Sequence, residues 1–371
     1  MKTFNLPYSL ICLLTFILSS CGKDLPSSGL DIYVEDNQFK IVGYLAGRGF
    51  DKINELELGK LTHLNLAFAN PDQEGNLVFG RDVDIGSVVK KGHDHGLKVF
   101  VSLAGGGRPD TTLWKSVLSP TNRADFINKI LNFVEQNNLD GVDVDIERNL
   151  LPAIGNLYTP FVIELKTALH EKGKGITTAL GATRLHEAVS QQSLEAYDFI
   201  NVMVYDKTGM WRPYDVGQHS PYSYAEEAIK YWTEERNIPP DRIVLGVPFY
   251  GFDFTPPARY ISFNEIIEEN PTLAYRDSVD MTYYNGIPTI VKKAELAKRK
   301  LGGIMIWEIS LDILGEMSLL RAIDQTITAG DCTVKTFYKD EDGDGLGNPL
   351  WPFQACTAPE GYVDNRDDLD D

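Results

Sequence analysis

Residues 139–147 read LDGVDVDIE, with aliphatic and acidic side chains in alternation. A period of two predicts a β-strand, so Asp143, Asp145 and Glu147 share one face and the aliphatic residues that alternate with them share the other. Because an aliphatic face packs against helices, we expect the three acids to point into the interior of the fold. A half-exposed edge strand with solvated acids and a divalent metal site are the two alternative interpretations.

Three stacked carboxylates are unfavourable in a protein interior. Burial and mutual repulsion both oppose ionisation, so we expect at least one of these acids to keep a proton and to have a pKa raised towards neutrality. A carboxylic acid that is still protonated near neutral pH has the property that a general acid needs. The stretch therefore predicts acid–base chemistry at the end of a strand.

Short apolar strands alternate with amphipathic segments on both sides of this stretch. In 125–137, for example, apolar residues recur at helical spacing. The predicted strands are 41–45, 64–68, 99–103, 142–146, 176–180, 199–205, 243–249 and 304–307. Eight strands alternating with helices over residues 39–329 predict a closed (β/α)₈ TIM barrel, with an open doubly wound sheet as the alternative. The active site of such a barrel lies at the carboxyl ends of its strands.

The composition of the 371 residues is that of a folded globular protein. Hydrophobic residues make up 43% and charged residues 24%, which excludes a disordered chain and a multi-span membrane protein. The formal net charge is −18 at pH 7, so the phosphates of nucleic acids would repel the chain. We therefore expect no nucleic-acid partner, and we expect a monomer.

The first 20 residues have the features of an export signal. Lys2 supplies a positive start, and the apolar run 10–18 is too short to span a membrane. It ends in Leu-Ser-Ser-Cys, which resembles a bacterial lipobox and implies lipidation of Cys21. Residues 21–38 are polar and would form a tether. The sequence thus predicts a bacterial membrane-anchored lipoprotein, periplasmic or at the cell surface, that meets the membrane only through its lipid; plain secretory cleavage is the alternative.

Residues 330–371 form an acidic tail, with eleven acidic and three basic residues from Asp331 onward. Its two cysteines can pair in an oxidising compartment; they are Cys332 and Cys356. Carboxylates recur at every second position with glycines nearby, a spacing that suits Ca²⁺. These carboxylates are Asp340, Asp342 and Asp344. The segment resembles a thrombospondin type 3-like calcium repeat, and a solvated disordered tail is the alternative.

The four acids of Asp140-Gly-Val-Asp143-Val-Asp145-Ile-Glu147 resemble the DGxDxDxE signature of the family 18 glycoside hydrolases, which comprise chitinases and endo-β-N-acetylglucosaminidases. Motifs on other strands are similar to those of the same family. They are Gly43-Tyr44, Ser102 with Ala104 and Gly105, Met203-Val204-Tyr205-Asp206, Pro248-Phe249-Tyr250-Gly251, and Gly302-Gly303-Ile304-Met305-Ile306-Trp307. One departure is Ala104, which stands where the family has the first glycine of SxGG.

The resemblance implies that Glu147 is the general acid that protonates the glycosidic oxygen. A common retaining glycosidase needs a second carboxylate about 5 Å away across the sugar, but Asp145 lies below Glu147 on the same side. Glu308 points away from its neighbour Trp307, which makes the better sugar floor. The family instead uses the 2-acetamido oxygen of N-acetylglucosamine as the nucleophile. Asp145 would then bind the acetamido N–H, and Asp143 would hold a shared proton below it.

The remaining candidates are aromatic and polar residues at the ends of other strands. The resemblance implies that Tyr205 orients the acetamido carbonyl, that Trp307 stacks under the sugar, and that Tyr44 and Ser102 support the lower acids. Further substrate-binding candidates are Met203, Asp206 and Tyr250. No cofactor is expected for catalysis.

The function implied is a retaining hydrolase of β-1,4 linkages at N-acetylglucosamine, most readily a chitinase acting on chitin or chitooligosaccharides. An endo-β-N-acetylglucosaminidase acting on N-glycans carries the same signature, and a non-catalytic glycan-binding barrel is a third interpretation. About fifty residues separate Gly251 from Gly303, which leaves little room for an inserted α+β unit and predicts a shallow groove. Aromatic residues that could form sugar platforms or a loop core are Trp114, Trp211, Tyr214, Tyr222 and Tyr224.

Overall fold

The computed structural model describes residues 33–34, 37–106, 109–147, 149–329, 335–355, 358 and 361–368. The strands are β1 (Lys40–Ala46), β2 (His63–Pro71), β3 (Leu77–Phe79), β4 (Lys98–Ala104), β5 (Gly141–Asp145), β6 (Gly175–Gly181), β7 (Phe199–Met203), β8 (Ile243–Pro248), β9 (Tyr250–Asp253), β10 (Arg259–Ser262), β11 (Ser278–Val279), β12 (Thr282–Tyr283), β13 (Gly303–Trp307), β14 (Lys335–Lys339), β15 (Asn348–Ala355) and β16 (Tyr362–Val363). The α-helices are α1 (Ile85–Asp94), α2 (Thr111–Val117), α3 (Arg123–Gln136), α4 (Leu150–Ile154), α5 (Tyr158–His170), α6 (Gln191–Ala196), α7 (Tyr222–Lys230), α8 (Phe263–Glu269), α9 (Ile287–Lys300) and α10 (Leu319–Thr328).

Eight parallel strands close into a barrel. Their order around it is β1, β13, β8, β7, β6, β5, β4 and β2, and β2 pairs with β1 to complete the circle. All eight predicted barrel strands are present, which confirms the (β/α)₈ prediction and excludes the open sheet. Strand β5 pairs on both sides, with β4 and with β6, so the edge-strand interpretation of residues 139–147 is wrong.

The helices cover the outside of the barrel with their apolar faces. The predicted helix at 125–137 is α3, which buries Phe126, Ile127, Ile130 and Val134 at spacings of one, three and four residues. At α1, α2, α6 and α10 the side chain that precedes the helix accepts a hydrogen bond from its first turn, as Asp84 does from Ser87 N–H at α1. No helix of the described residues is long and apolar enough to cross a membrane.

A small unit follows the seventh barrel strand, β8. Strands β9 to β12 form a four-stranded antiparallel sheet, and α8 lies between β10 and β11 in the sequence. The expectation that this stretch leaves little room for such a unit is wrong, because two of the four strands need only two residues each. Tyr250 begins β9 and is therefore part of this unit rather than of the barrel strand.

The described part of the acidic tail is folded. Strands β14, β15 and β16 form an antiparallel sheet in which Phe337 is buried, and Trp351 and Phe353 pack against the hydrophobic core. The disordered-tail alternative is wrong for these residues. The predicted signal, Cys21, Cys332 and Cys356 lie outside the described residues.

A glycine before β13 tests the closure of the barrel. Gly302 accepts a hydrogen bond from Lys40 N–H at 2.9 Å, and a Cβ at this position would lie 1.7 Å from the carbonyl oxygen of Asp241. Because backbone has to move, we expect Gly302→Ala to lower the free energy of unfolding by about 1–3 kcal/mol in urea titrations. Gly59→Ala is the control, since its new Cβ would only touch His95 at 3.9 Å. Equal stability of the two variants would contradict this account.

Candidate active site

Asp143 lies on the axis of the barrel and accepts hydrogen bonds from four strands. Its Oδ2 accepts from Tyr44 OH at 2.8 Å and from Ser102 Oγ at 2.6 Å. Its Oδ1 accepts from Thr177 Oγ1 at 2.7 Å and, more weakly, from Asn201 Nδ2 at 3.4 Å. Ser102 and Thr177 are the register partners of Asp143 on β4 and β6, so the parallel pairing itself brings their hydroxyls to the carboxylate.

Burial dominates the electrostatics of this network. It raises the pKa of Asp143, and the four donors offset only part of that rise because each of them stabilises the ionised form. Burial, and then the negative charge of Asp143, raise the pKa of Tyr44 well above its usual range. Tyr44 therefore keeps its proton and donates it towards the carboxylate.

Asp145 and Glu147 continue the row of acids towards the mouth of the barrel. Asp145 is the last residue of β5 and is buried, whereas Glu147 lies two residues beyond the strand and is half-buried. Both line a cavity of about 470 Å³ at the carboxyl ends of the strands. Its other lining residues are Phe68, Gly106, Gly181, Ala182, Leu185, Met203, Tyr205, Asp206, Trp211, Arg212, Tyr224, Tyr250 and Trp307.

Residues after β7 form one wall of this cavity. Burial, and then the charge of Asp145, raise the pKa of Tyr205 well above its usual range, so its hydroxyl stays protonated. Its ring meets Tyr250 edge-on, with centroids 6.1 Å apart. Tyr250 OH donates to Asp206 Oδ1 at 2.6 Å, which ties the sixth barrel strand, β7, to the inserted unit. Met203, at the end of β7, also lines the cavity.

Trp307 forms the floor where the cavity continues into a groove. Its ring stacks on Phe68, with centroids 5.4 Å apart and planes 17° apart, and it tilts against Tyr44 at 5.6 Å. Two neighbouring cavities, of about 560 and 640 Å³, are also lined by Trp307, so the groove extends on that side. Glu308 accepts from Ser310 Oγ at 2.6 Å and lines the second of these cavities rather than the one that contains Glu147.

The structure also brings in residues that the sequence analysis did not name. Thr177 and Asn201 both contact Asp143, and the inward positions of strands 176–180 and 199–205 would have predicted them as candidates. Among the possible sugar platforms, Trp114 is buried in the core, whereas Trp211 lines the cavity with 47% of its surface exposed. Tyr214, at 98%, projects from the same loop.

The tail acids converge as the spacing suggests. One oxygen from each of Asp340, Asp342 and Asp344 lies within 4.8 Å of the others. Asp340 also accepts hydrogen bonds from the N–H groups of Gly343 and Gly345, both of which have positive φ values that let the loop turn. Carboxylate oxygens of this kind suit a hard cation such as Ca²⁺.

Solved structures that are similar to this chain include chitinases. The chitinase ChiB from the chitin utilization locus of Flavobacterium johnsoniae is 42% identical, with a TM-score of 0.75 over 79% of this chain and 95% of that protein. A chitinase from Bacteroides thetaiotaomicron is 25% identical, with a TM-score of 0.68 over 78% of this chain and 97% of that one.

Sequence comparison reaches a more distant relative. Probable chitinase 2 of Drosophila melanogaster is 24% identical in an alignment 289 positions long, and the match covers 62% of this chain and 59% of the relative. The chain thus spans about three fifths of the length of that protein. The family model described as glycosyl hydrolases family 18 matches residues 40–312, a range that contains all eight barrel strands and every acid of the cavity. The chain belongs to glycosyl hydrolase family 18.

Proposed function

We propose that the cavity hydrolyses β-1,4 linkages next to N-acetylglucosamine, with retention of configuration, and that chitin and its oligomers are the substrates. The observation that carries this proposal is the row of Asp143, Asp145 and Glu147, which rises from the buried axis to a half-exposed mouth beside the Trp307 floor. The chitinase names of the similar proteins support chitin over N-glycans as the first substrate to test.

The chemistry proposed has two steps. Glu147 donates its proton to the glycosidic oxygen while the carbonyl oxygen of the substrate's own 2-acetamido group bonds to C1, so that the C1–O bond to the leaving sugar breaks. The product of this step is a cyclic oxazolinium ion. Water then bonds to C1 as Glu147 accepts its proton, and the acetamide reopens. Two inversions at C1 give net retention.

The lower residues would stabilise the charge that develops. Asp145 would accept a hydrogen bond from the acetamido N–H and offset the positive charge of the oxazolinium ion. Asp143 would share a proton with it; the raised pKa of Asp143 supports this role. The protonated hydroxyl of Tyr205 would donate to the acetamido carbonyl.

The walls would hold the sugar ring. Trp307 offers an aromatic face to its C–H groups, and Met203, Asp206 and Tyr250 would contact its rim. Tyr44 and Ser102 would act through Asp143, which they already contact, rather than touch the substrate.

Two further proposals concern the ends of the chain. We propose that Cys21 carries the lipid of a membrane-anchored lipoprotein, so that the barrel acts in the periplasm or at the cell surface as a monomer. We also propose that the acids at 340, 342 and 344 bind Ca²⁺. Their convergent oxygens support this, and the ion would order the loop between β14 and β15.

Replacing the general acid tests the reaction class directly. We expect Glu147→Gln to lower hydrolysis of a chromogenic di-N-acetylchitobioside by about 10²- to 10⁴-fold, because glutamine cannot donate the proton. The affinity for chitooligosaccharides, measured by calorimetry, should change little. Glu164→Gln, at a surface ion pair with Arg123, is the control and should retain activity. Full activity of Glu147→Gln would contradict the mechanism.

Two neighbouring threonines, Thr177 and Thr178, test whether the folded state raises the pKa of Asp143. Thr177→Val removes a hydroxyl that stabilises the ionised carboxylate, so the folded-state pKa of Asp143 should rise further. A carboxyl with a raised folded-state pKa loses its stabilising contribution as pH increases through that pKa. We therefore expect the loss in unfolding free energy, about 1–3 kcal/mol, to be larger near pH 7 than near pH 4.

The adjacent threonine is the matched control. Thr178 is equally buried but donates to the carbonyl oxygen of Val144 at 2.6 Å, so Thr178→Val should have the same cost at both pH values. A pH-independent cost for Thr177→Val would contradict the raised pKa of Asp143.

Product mapping separates chitin from N-glycans. We expect the wild-type protein to release short oligomers from chitohexaose and to leave a high-mannose glycoprotein intact, because the groove past Trp307 offers the extended floor that a linear chain needs. Mass spectrometry of both digests makes the comparison. Release of the glycoprotein's sugars with no chitohexaose cleavage would favour the endo-β-N-acetylglucosaminidase.

Calcium titration tests the tail. We expect Ca²⁺ binding by calorimetry at up to about 10 mM, which covers the weakest extracellular sites, and its loss in Asp342→Asn. Asp367→Asn, outside the convergent group, should still bind. The free energy of stabilisation at 100 times the dissociation constant would be about 2.7 kcal/mol if only the folded state binds. Absence of heat in the wild type would contradict the calcium site.

A further inference from the structure

The side chain of Lys293 ends in an ammonium group inside the protein, and none of the residue's surface is exposed. It lies on α9, and its Nζ donates to Ser220 O at 2.7 Å, Ser220 Oγ at 2.6 Å and Asn285 Oδ1 at 2.7 Å. Three acceptors match the three N–H donors of the ammonium. The lysine therefore joins α9 to the end of the loop that follows β7.

Ser220 also bonds the segment that follows the sixth barrel strand, β7. Its Oγ, which accepts from Lys293, also donates to the carbonyl oxygen of Val204, immediately before Tyr205. Asn285 Nδ2 donates to Ser220 O at 3.1 Å, so the segment before α9 bonds the same carbonyl oxygen as Lys293. The end of the loop is thus bonded both to α9 and to Val204, which follows β7 and precedes Tyr205 in the wall of the cavity.

His219, the preceding residue, contacts the wall itself. Its Nδ1 accepts from Asp206 N–H at 3.4 Å and its Nε2 donates to Tyr250 O at 3.2 Å. Burial lowers the pKa of His219, which keeps the ring neutral and leaves Nδ1 free to accept. Asp206 has a φ of 61°, a left-handed conformation that is strained for a residue with a side chain and needs support from its surroundings.

The loop between these anchors faces the cavity. Lys207 N–H donates to His219 O at 3.0 Å and closes the loop at its base, and Thr208 Oγ1 donates to Asp215 O at 2.5 Å across it. Trp211 and Arg212, between them, line the cavity that contains Glu147. A change at the base of the loop therefore alters where these two side chains lie.

We propose that Lys293, acting through Ser220 and His219, is a positioning residue. It holds Asp206 in its strained conformation and holds the 207–218 loop against the cavity that contains Glu147. The inference rests on the proposed glycosidase function, because it assigns a role in substrate binding to that same cavity. Lys293 touches neither the cavity nor the reacting atoms, so it acts only through the residues that it bonds.

The free-energy balance supports a role beyond packing. Burial lowers the pKa of Lys293 to about 7, which means that keeping it charged is unfavourable. An apolar side chain of similar length would avoid that cost but would take the ammonium donor away from Ser220 Oγ and Asn285 Oδ1 in the interior, while Ser220 O would keep only its bond from Asn285 Nδ2. The lysine satisfies three acceptors from two separate segments with one group.

Hydrogen exchange on the substrate-free protein tests whether Lys293 holds the 207–218 loop in place. We expect Lys293→Met to speed exchange of the amides of residues 206–220 by at least about tenfold, because the base of the loop opens more often. Lys298→Met is the control on the same helix: Lys298 donates to the carbonyl oxygens of Thr326 and Ala329, away from the cleft. Unchanged exchange in Lys293→Met would overturn the proposal.

Kinetics test the consequence for the cleft. We expect Lys293→Met to raise KM for chitotetraose about tenfold with a smaller change in kcat, because contacts to the bound sugar are lost. A merely structural defect would reduce the active fraction, and so lower kcat at unchanged KM; that result would overturn the proposal. Lys298→Met should keep both constants within about twofold.

A second variant covers misfolding of Lys293→Met, and the exchange comparison separates the positioning role from the proposed glycosidase function. If Lys293→Met does not fold, Ser220→Ala carries the same test, since it removes only the hydroxyl between Lys293 and Val204, and it should raise both loop exchange and KM. If the wild type hydrolyses no N-acetylglucosamine polymer, the proposed function fails while the exchange comparison still decides whether Lys293 holds the loop.

Discussion

A carboxyl group that is fully buried inside a barrel is shielded from bulk solvent, and the arrangement around Asp143 follows from that constraint. Four donors from β1, β4, β6 and β7 converge on its two oxygens, and the parallel register supplies two of them directly. The donors do not fully compensate for burial, so the pKa of Asp143 stays raised. A protonatable group is thereby kept two residues below Asp145 and four below Glu147.

The same logic extends outward along the strand. Burial decreases from Asp143 through Asp145 to Glu147, so the row runs from the dry centre to the cavity where a substrate would enter. The aromatic floor of Trp307 and the hydroxyls of Tyr205 and Tyr250 surround its upper end. A buried cation, Lys293, lies behind one wall of the cavity, and all three of its N–H donors are in hydrogen bonds. The buried carboxyl of Asp143 and the buried ammonium of Lys293 thus each have several hydrogen-bond partners.

Much of this arrangement could be predicted from the sequence because period-two alternation determines which side chains face inward. The eight barrel strands, and the inward row of acids, followed from local pattern alone. Thr177 and Asn201 were missed because their inward positions make them candidates only, and nothing in the sequence marks the carboxylate that they contact. Lys293 and Ser220 are 73 residues apart, and their contact depends on tertiary packing that no local pattern reports. The inserted unit was missed because strands of two residues leave no periodicity to detect.

The central claim is that the substrate's own acetamido group is the nucleophile and that Glu147 serves as acid and then as base. The most direct measurement is proton NMR of chitotetraose during the first minutes of hydrolysis by the wild-type protein, before the anomers of the products equilibrate. The account predicts that the newly formed reducing ends appear first as the β-anomer, the configuration of the bond that was cleaved. First appearance of the α-anomer would contradict it.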